Sequence, residues 1–213
     1  MKVKKILGLG ALTAVLVMAT QICICGLAGA KEENRLSIQG STTVLPIAQL
    51  AAEEYMDLAD MGLLPEANIT VRGGGSGVGI AALLDGTIDI ANASRPIKSK
   101  EVEKAKAKGI EPFATVIAKD GIAVIVHPSN PVEGLSLEDL KAIYTGQVSK
   151  WNKVGGKPNP IVVISRDTAS GTFETFNKLV LKKEKVRNDA LMLASNQAVA
   201  TMVAKTPGAI GYI

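Results

Sequence analysis

Short apolar runs alternate with longer amphipathic stretches along residues 36–205, and this alternation restricts the fold more than any other feature of the sequence. Runs such as residues 69–71 and 122–126 predict strands, and a helix is expected between successive strands. Repeated strand–helix–strand units form mainly parallel sheets with helices on both faces. The sequence therefore predicts an α/β fold.

Four of the predicted strands end in turns rich in Gly, Ser, Thr or Arg, and a helix is expected after each turn. The turns are residues 40–43, 73–77, 93–96 and 165–172. In an open α/β sheet, ligands bind beyond the carboxyl ends of the strands. Helix N-termini at that edge offer free N–H groups and a partial positive charge. Each turn alone is also explained by helix capping, but the four together predict an anion site.

Other chemistries fit the sequence poorly. The glycine loop at 73–77 lacks the Gly-Lys-Ser/Thr ending of a P-loop, and Ser170 is not flanked like a nucleophile elbow. His127 is the single histidine, and no His/Cys/carboxylate cluster accompanies it in the sequence. We therefore expect no enzymatic activity, no metal and no cofactor.

The charge balance argues against nucleic acid as a partner. Three of the 24 basic residues lie within residues 1–30, which leaves 21 against 20 acidic residues in the remaining chain. Aromatic residues make up only 3% of the sequence, so stacking platforms for bases are scarce. No nucleic-acid binding is expected.

The first thirty residues have the pattern of a signal peptide. Lys2, Lys4 and Lys5 precede an apolar stretch over residues 6–24, and small residues follow at 28–30. The pattern predicts an exported protein, periplasmic or extracellular. The stretch also approaches the length of an uncleaved membrane anchor. Lipid attachment at Cys23 or Cys25 is a third reading, although the residues before both cysteines match a lipoprotein signal poorly.

The loops, taken in order, resemble those of one family. The motifs are Gly-Ser-Thr-Thr-Val-Leu-Pro at 40–46, Gly-Gly-Gly-Ser-Gly at 73–77, Ser-Arg-Pro at 94–96 and Arg-x-x-x-Ser-Gly-Thr at 166–172. In this combination they resemble the phosphate-binding proteins of bacterial and archaeal phosphate ABC transporters, in their compact branch. The similarity extends from residue 36 to residue 213.

The resemblance implies a two-lobe periplasmic-binding-protein fold of type II, in which each lobe has a mainly parallel sheet with flanking helices. It implies a first lobe over residues 31–118, a second lobe over 119–208 and the start of a return to the first lobe over 209–213. On this basis we expect the first lobe to lack its C-terminal return segment. Apolar surface is then expected to stay exposed on that lobe.

The resemblance and the four loops together give the expected phosphate contacts. These residues are Ser41, Thr42, Thr43, Ser76, Gly77, Ser94, Arg95, Arg166, Ser170, Gly171 and Thr172. Some longer members of the family carry an aspartate after the serine of the third loop, where it accepts the proton of hydrogen phosphate. This chain has Arg95 there, as other compact members do, so its basis for rejecting sulfate stays open.

The function implied is binding of inorganic phosphate outside the cytoplasmic membrane, as a monomer, and delivery to the membrane permease of an ABC transporter. Phosphate is not chemically changed in this reading. The alternatives are a binding protein for another oxyanion such as sulfate or molybdate, a phosphate-ester hydrolase that uses the same anion cradle, and a surface sensor or adhesin.

Overall fold

The computed structural model describes residues 34–213, over which strands and helices alternate as the sequence predicts. The predicted α/β fold is confirmed. The predicted signal peptide, with Cys23 and Cys25, lies outside the described residues. Among residues 34–213 no helix is both long enough and apolar enough to cross a membrane.

The first lobe has a three-stranded sheet in the order β2-β1-β3. Its elements are β1 (Arg35–Gly40), α1 (Leu45–Asp60), β2 (Asn68–Arg72), α2 (Ser76–Leu84), β3 (Ile90–Asn92) and α3 (Ser99–Ala107). Strands β1 and β3 run parallel, with Gly40 opposite Asn92. Because both strands end at the same edge, the loops that follow them also meet there.

The core of the first lobe is small. Ile80 and Leu84 of α2 pack with Ala105 of α3 beneath the sheet. Large apolar side chains remain exposed elsewhere in this lobe, including Leu50 at 67% and Ile90 at 43%. Apolar surface therefore stays open to solvent on the first lobe.

The second lobe has a four-stranded sheet in the order β4-β7-β5-β6. Its elements are β4 (Val124–Val126), α4 (Leu137–Thr145), a 3₁₀ turn (Trp151–Lys153), β5 (Val162–Arg166), α5 (Gly171–Leu179), β6 (Leu191–Leu193), α6 (Asn196–Lys205) and β7 (Ala209–Tyr212). Strands β5, β6 and β7 are parallel, and β4 pairs antiparallel to β7.

Strand β5 is covered on both faces of this sheet. Val163 packs with the α4 and α5 side of the core, and Ile164 packs with Val199 and Val203 of α6. Successive residues of a strand point to opposite faces, so an uninterrupted apolar run suits this position. Trp151 is buried on the α4 side, where its Nε1–H donates to the Gly208 carbonyl at 2.8 Å.

The predicted return of residues 209–213 to the first lobe is wrong. Strand β7 lies inside the second sheet, where Val163 is opposite Ile210 and Ile125 is opposite Gly211. Its four residues are all buried. Burial on both faces explains the apolar sequence of this segment, and the pairing with β4 and β5 makes it an interior strand of the second lobe.

Helix α4 begins with a capping box. The Ser136 hydroxyl accepts from the Asp139 N–H at 3.0 Å, and the Asp139 carboxylate accepts from the Ser136 N–H at 3.0 Å and the Ser136 hydroxyl at 2.7 Å. The hydrogen bonds from Ser136 hold the pKa of Asp139 below its ordinary value. The box satisfies N–H groups that the helix itself leaves without a partner.

Candidate anion site between the lobes

The structure brings the four predicted loops together where the two lobes meet. Thr43, after β1, has its hydroxyl 3.3 Å from that of Thr172 on α5. The Gly77 N–H, in the first turn of α2, donates to the Ala169 carbonyl at 3.0 Å. Residues more than ninety positions apart in sequence are therefore neighbours across the cleft, as the two-lobe interpretation requires.

Serine hydroxyls line the first-lobe side of this junction. Ser76 is fully buried, and its Oγ accepts from the Ser94 N–H at 3.0 Å and lies 3.3 Å from the Ser94 Oγ. The Ser41 hydroxyl accepts from the Thr43 N–H at 3.2 Å. The loops after β1, β2 and β3 thus form one cluster of hydroxyl and N–H groups.

Helix N-termini from both lobes point toward the same cluster. Helix α2 begins at Ser76, and helix α5 begins at Gly171 with Ser170 as its cap. The Ser170 hydroxyl accepts from the Phe173 N–H at 3.2 Å, and the first residue of α5, Gly171, lies against the Ser76 and Ser94 hydroxyls. The positive ends of two helix dipoles therefore favour a negative charge at this place.

Arg166 supplies a buried positive charge. The residue is 1% exposed, and its guanidinium donates to the Leu193 and Ala194 carbonyls at 3.2 and 3.0 Å and to the Thr42 hydroxyl at 3.1 Å. It also donates to the Asn196 side-chain oxygen. Burial lowers the pKa of Arg166 from its ordinary value. The hydrogen-bond partners are all neutral, so they orient the guanidinium without cancelling its charge. The neighbouring Asp167 opposes the effect of burial on the pKa of Arg166 but forms no salt bridge with the guanidinium.

Asn196 also lies at this junction, and it is absent from the residues predicted from the sequence. Besides accepting from Arg166, its Nδ2 donates to the Thr43 hydroxyl at 3.0 Å, and its backbone N–H is 3.4 Å from the Thr42 hydroxyl. Asn196 is the first residue of α6, with Ser195 as its cap. A signal was present, because residues 191–196 repeat the strand, cap and helix pattern of the four predicted loops.

Arg95 lies beside the cluster, but its guanidinium faces carboxylates. It forms a bidentate pair with Glu101, at 2.9 and 2.7 Å, and its Nε is 3.0 Å from the Glu174 carboxylate. The Glu101 hydrogen bond raises the pKa of Arg95 and lowers that of Glu101. Arg95 therefore lies beside the four loops, and its charge is balanced by Glu101 and Glu174, which the sequence did not identify as its partners.

Gly171 allows the lobes to approach closely. A Cβ at this position would lie 2.5 Å from the Ser76 Oγ and 2.6 Å from the Ser94 Oγ, which is inside van der Waals contact. Any side chain would therefore force the two serine side chains to move or the second-lobe helix to draw away from them. The glycine of the Ser-Gly-Thr motif serves interlobe packing as well as the helix start.

Taken together, the described side chains at this junction offer hydroxyl, amide, guanidinium and backbone N–H groups. Within residues 34–213 no group of three or more His, Cys, Asp or Glu residues is arranged to hold a metal ion. Hydrogen-bond donors around a buried cation suit a small anion that is bound from both lobes at once.

A family profile described as the PBP superfamily domain matches residues 28–213, and the chain therefore belongs to the PBP superfamily. Its α/β lobes and mainly parallel sheets are those of the type II periplasmic-binding-protein fold, as the sequence predicted.

Two named relatives are similar to this chain over most of its length. The chain is 34% identical to the phosphate-binding protein PstS of Bacillus subtilis over 183 residues, which cover 86% of this chain and 58% of the relative. It is 35% identical to protein SphX of Synechococcus elongatus over 183 residues, covering 83% of this chain and 53% of the relative. The chain thus spans slightly more than half the length of these relatives.

Solved structures agree with the fold. One is a protein from Clostridium perfringens described as a phosphate ABC transporter substrate-binding protein with bound phosphate. It is 36% identical with a TM-score of 0.74, over 84% of this chain and 70% of that one. The second is an ABC-type phosphate transport receptor from Vibrio cholerae, 32% identical with a TM-score of 0.61, over 84% and 70% of the two chains.

Proposed function

We propose that this protein binds inorganic phosphate between its two lobes, outside the cytoplasmic membrane, and releases it to the permease of an ABC transporter. The observation that carries the proposal is Arg166, a buried cation whose hydrogen-bond partners are all neutral. A buried charge is costly unless a counter-charge is supplied. A bound anion supplies it.

The ligand contacts we propose are the predicted loop residues other than Arg95, with Asn196 added. Arg95 lies at the edge of the site, where its guanidinium faces Glu101 and Glu174. Hydroxyls of Thr42, Thr43 and Thr172 now bond to each other or to Arg166 and Asn196 across the cleft. A phosphate would replace the contacts between hydroxyl and amide groups with charge-assisted ones, and would give the Arg166 guanidinium an anionic acceptor in place of a neutral hydroxyl. The bound anion would then bridge both lobes and favour the closed form.

The energetics fit this set of donors. A hydrogen bond to a charged group contributes about 1.5–3 kcal/mol, whereas micromolar binding requires about 8 kcal/mol. About six such bonds exceed that requirement and leave a margin for lobe closure and desolvation. Only one of the proposed contacts, Arg166, needs to carry a formal charge.

Several details of the proposal come from relatives rather than from geometry. The names of the Bacillus and Vibrio proteins support phosphate as ligand and an ABC transporter as context. Export follows from the signal pattern of residues 1–30. We propose a monomer with a first lobe near residues 31–118 and a second lobe that begins near residue 119 and includes β7, closing about a hinge between them.

Calorimetric titration with phosphate, then with sulfate, tests the proposal. We expect one phosphate per chain, and at least about tenfold weaker binding for Arg166→Ala, because about 1.4 kcal/mol corresponds to tenfold. Arg187→Ala is the matched control, since Arg187 is paired with Asp189 in the same lobe. Equal phosphate binding by all three proteins would exclude Arg166 from the site.

A second candidate is binding of another oxyanion such as sulfate. The observation in its favour is that the proposed ligand contacts include no carboxylate to accept the proton of hydrogen phosphate. In the same titration, sulfate or molybdate binding at least as tightly as phosphate would move the function to that anion.

Hydrolysis of phosphate esters is disfavoured by the roles of the hydroxyl and imidazole groups. The Ser170 hydroxyl caps α5, and His127 is bonded to the Ser129 hydroxyl at 2.8 Å. The His127 Nδ1 also accepts from the Ser129 N–H at 3.1 Å, so this exposed contact between residues two apart is a local turn, and it lies outside the four loops of the anion site. A phosphatase assay that detects turnover would replace the binding proposal by an enzymatic one.

A further inference from the structure

A charged cluster joins the two lobes beside the anion site. It consists of Arg95, Lys98 and Glu101 from the first lobe and Glu174 from the second, and we call it the rim cluster. Arg95, Lys98 and Glu101 belong to the segment that ends in α3, whereas Glu174 belongs to α5 of the second lobe.

Within the first lobe, the cluster is rigidly held. The Arg95 guanidinium makes two hydrogen bonds to the Glu101 carboxylate, which also accepts from the Lys98 N–H at 2.8 Å. The Arg95 side chain is only 6% exposed. A planar bidentate pair fixes the orientation of both partners. Contacts within the first lobe therefore orient Arg95 independently of the second lobe.

Glu174 completes the cluster from the other lobe. One of its carboxylate oxygens lies 3.0 Å from the Arg95 Nε, and the other pairs with the Lys98 ammonium. Glu174 lies in the first turn of α5, next to the Ser-Gly-Thr motif. The two cations and the carboxylate can meet in this way only when the lobes are together.

We propose that Glu174 latches the lobes in the closed form through Arg95 and Lys98, and that Arg95 strengthens anion binding through closure rather than by touching the anion. The inference rests on the proposed anion-binding function. It assigns a role to the arginine of the Ser-Arg-Pro motif, which the sequence analysis placed among the ligand contacts.

Glu174 affects phosphate affinity in two opposite ways, by repelling the anion and by holding the lobes together, so the two effects can be told apart by experiment. A carboxylate beside an anion site repels the anion, so removal of its charge should tighten binding if repulsion dominates. If the latch dominates, removal of the charge loosens binding. Ion pairs that are exposed to solvent contribute little stability, whereas partly buried pairs are screened less by water and salt. The low exposure of Arg95 and the 26% exposure of Glu174 therefore favour the latch.

The first test is phosphate affinity and phosphate release for Glu174→Gln, measured by calorimetry and stopped-flow. We expect about fivefold weaker binding, mainly from faster release, since changes within one interface act mostly on dissociation. The matched control is Glu184→Gln, because Glu184 is an exposed glutamate paired with Lys141 within the second lobe. Tighter binding by Glu174→Gln, or an equal loss in both variants, overturns the latch.

The second test is a double-mutant cycle with Arg95→Gln and Glu174→Gln. If Arg95 acts through Glu174, the double variant binds phosphate about as weakly as Glu174→Gln alone. If Arg95 touches the anion directly, its loss weakens binding further whether or not Glu174 is charged, and the inference is overturned.

A third measurement separates the latch from the binding function. Spin labels on cysteines at Glu103 of α3 and Lys178 of α5, both exposed positions, report the lobe separation in phosphate-free buffer, with Cys23 and Cys25 replaced by serine. We expect Glu174→Gln to lengthen this distance and Glu184→Gln to leave it unchanged.

The combined outcomes are distinguishable. A longer label distance in Glu174→Gln, together with no phosphate binding by the unmodified protein, supports the latch and overturns the proposed function. Phosphate binding with an unchanged label distance and unchanged affinity supports the function and overturns the latch.

Discussion

Replacing Gly171 by alanine is expected to hold the lobes apart without unfolding either lobe. The added Cβ would lie 2.5 Å from the Ser76 Oγ and 2.6 Å from the Ser94 Oγ. Gly171 is the first residue of α5 and does not need a left-handed backbone. Alanine therefore suits the helix itself and favours it by up to about 1 kcal/mol over glycine.

The cost arises at the interface between the lobes. To relieve the contact, Ser76 and Ser94 must rotate and give up the 3.0 Å hydrogen bond between the Ser94 N–H and the Ser76 hydroxyl, or the lobes must separate. One or two lost hydrogen bonds near buried groups cost about 1–3 kcal/mol. This corresponds to phosphate binding about ten- to hundredfold weaker.

Calorimetric titration with phosphate measures the affinity, and thermal unfolding followed by circular dichroism measures the stability. Gly134→Ala is the matched control, because Gly134 lies in the second lobe with no atom within 4 Å of an added Cβ and no left-handed backbone. We expect Gly171→Ala to lose affinity with nearly unchanged unfolding temperature, and the control to retain both.

Two results would refute this reasoning. Unchanged phosphate affinity in Gly171→Ala would show that the observed approach of the lobes is not the binding-competent form. A large drop in unfolding temperature would show that Gly171 is needed for the fold of the second lobe rather than for closure.

Three further predictions concern other parts of the molecule. Asn196→Ala is expected to weaken phosphate binding about tenfold in calorimetry, through loss of about one charge-assisted hydrogen bond and of the support for the arginine beside it. Trp151→Phe is expected to lower the free energy of unfolding by about 1–3 kcal/mol in urea while phosphate affinity stays unchanged, since the indole N–H is buried in the core. Ser136→Ala is expected to cost about 1 kcal/mol of stability near neutral pH, as loss of an N-cap does. The pKa of Asp139 is lower in the folded protein than its ordinary value of 3.8. The ionised carboxylate therefore contributes to the free energy of unfolding above pH 3.8, and this contribution is lost as the pH falls through the lowered pKa. The urea stability gap between Ser136→Ala and the unmodified protein should therefore narrow on acidification.

The loops that meet at the candidate site could be predicted because each is a contiguous stretch of sequence. The Arg-x-x-x-Ser-Gly-Thr motif places Arg166, Ser170 and Gly171 within seven residues, and the structure shows one end of β5 leading into α5. Such local features can be predicted because the end of a strand, the helix cap and the start of a helix are determined by neighbouring residues.

The missed features depend on partners that are distant in sequence. The environment of Arg95 depends on Glu174, and nothing near Arg95 in the sequence identifies that carboxylate. The strand, cap and helix pattern before Asn196 was missed because β6 has only three residues, too few to show the alternation of a strand. The apolar segment at 209–212 predicts a strand, but the sheet that accepts it is decided by pairing with β4 and β5.

The position of β7 affects the order in which the lobes can form during synthesis. The first-lobe sheet draws on residues 35–92, so its strands become available early. The second sheet has β7 between β4 and β5, and therefore cannot close until residues 209–212 have emerged. Pairings across long stretches of chain form slowly and leave strand edges open meanwhile. A nascent chain that has reached residue 208 thus carries a gap in its second sheet, and a chaperone that delays collapse until β7 arrives would protect its unpaired β4 and β5 edges from aggregation.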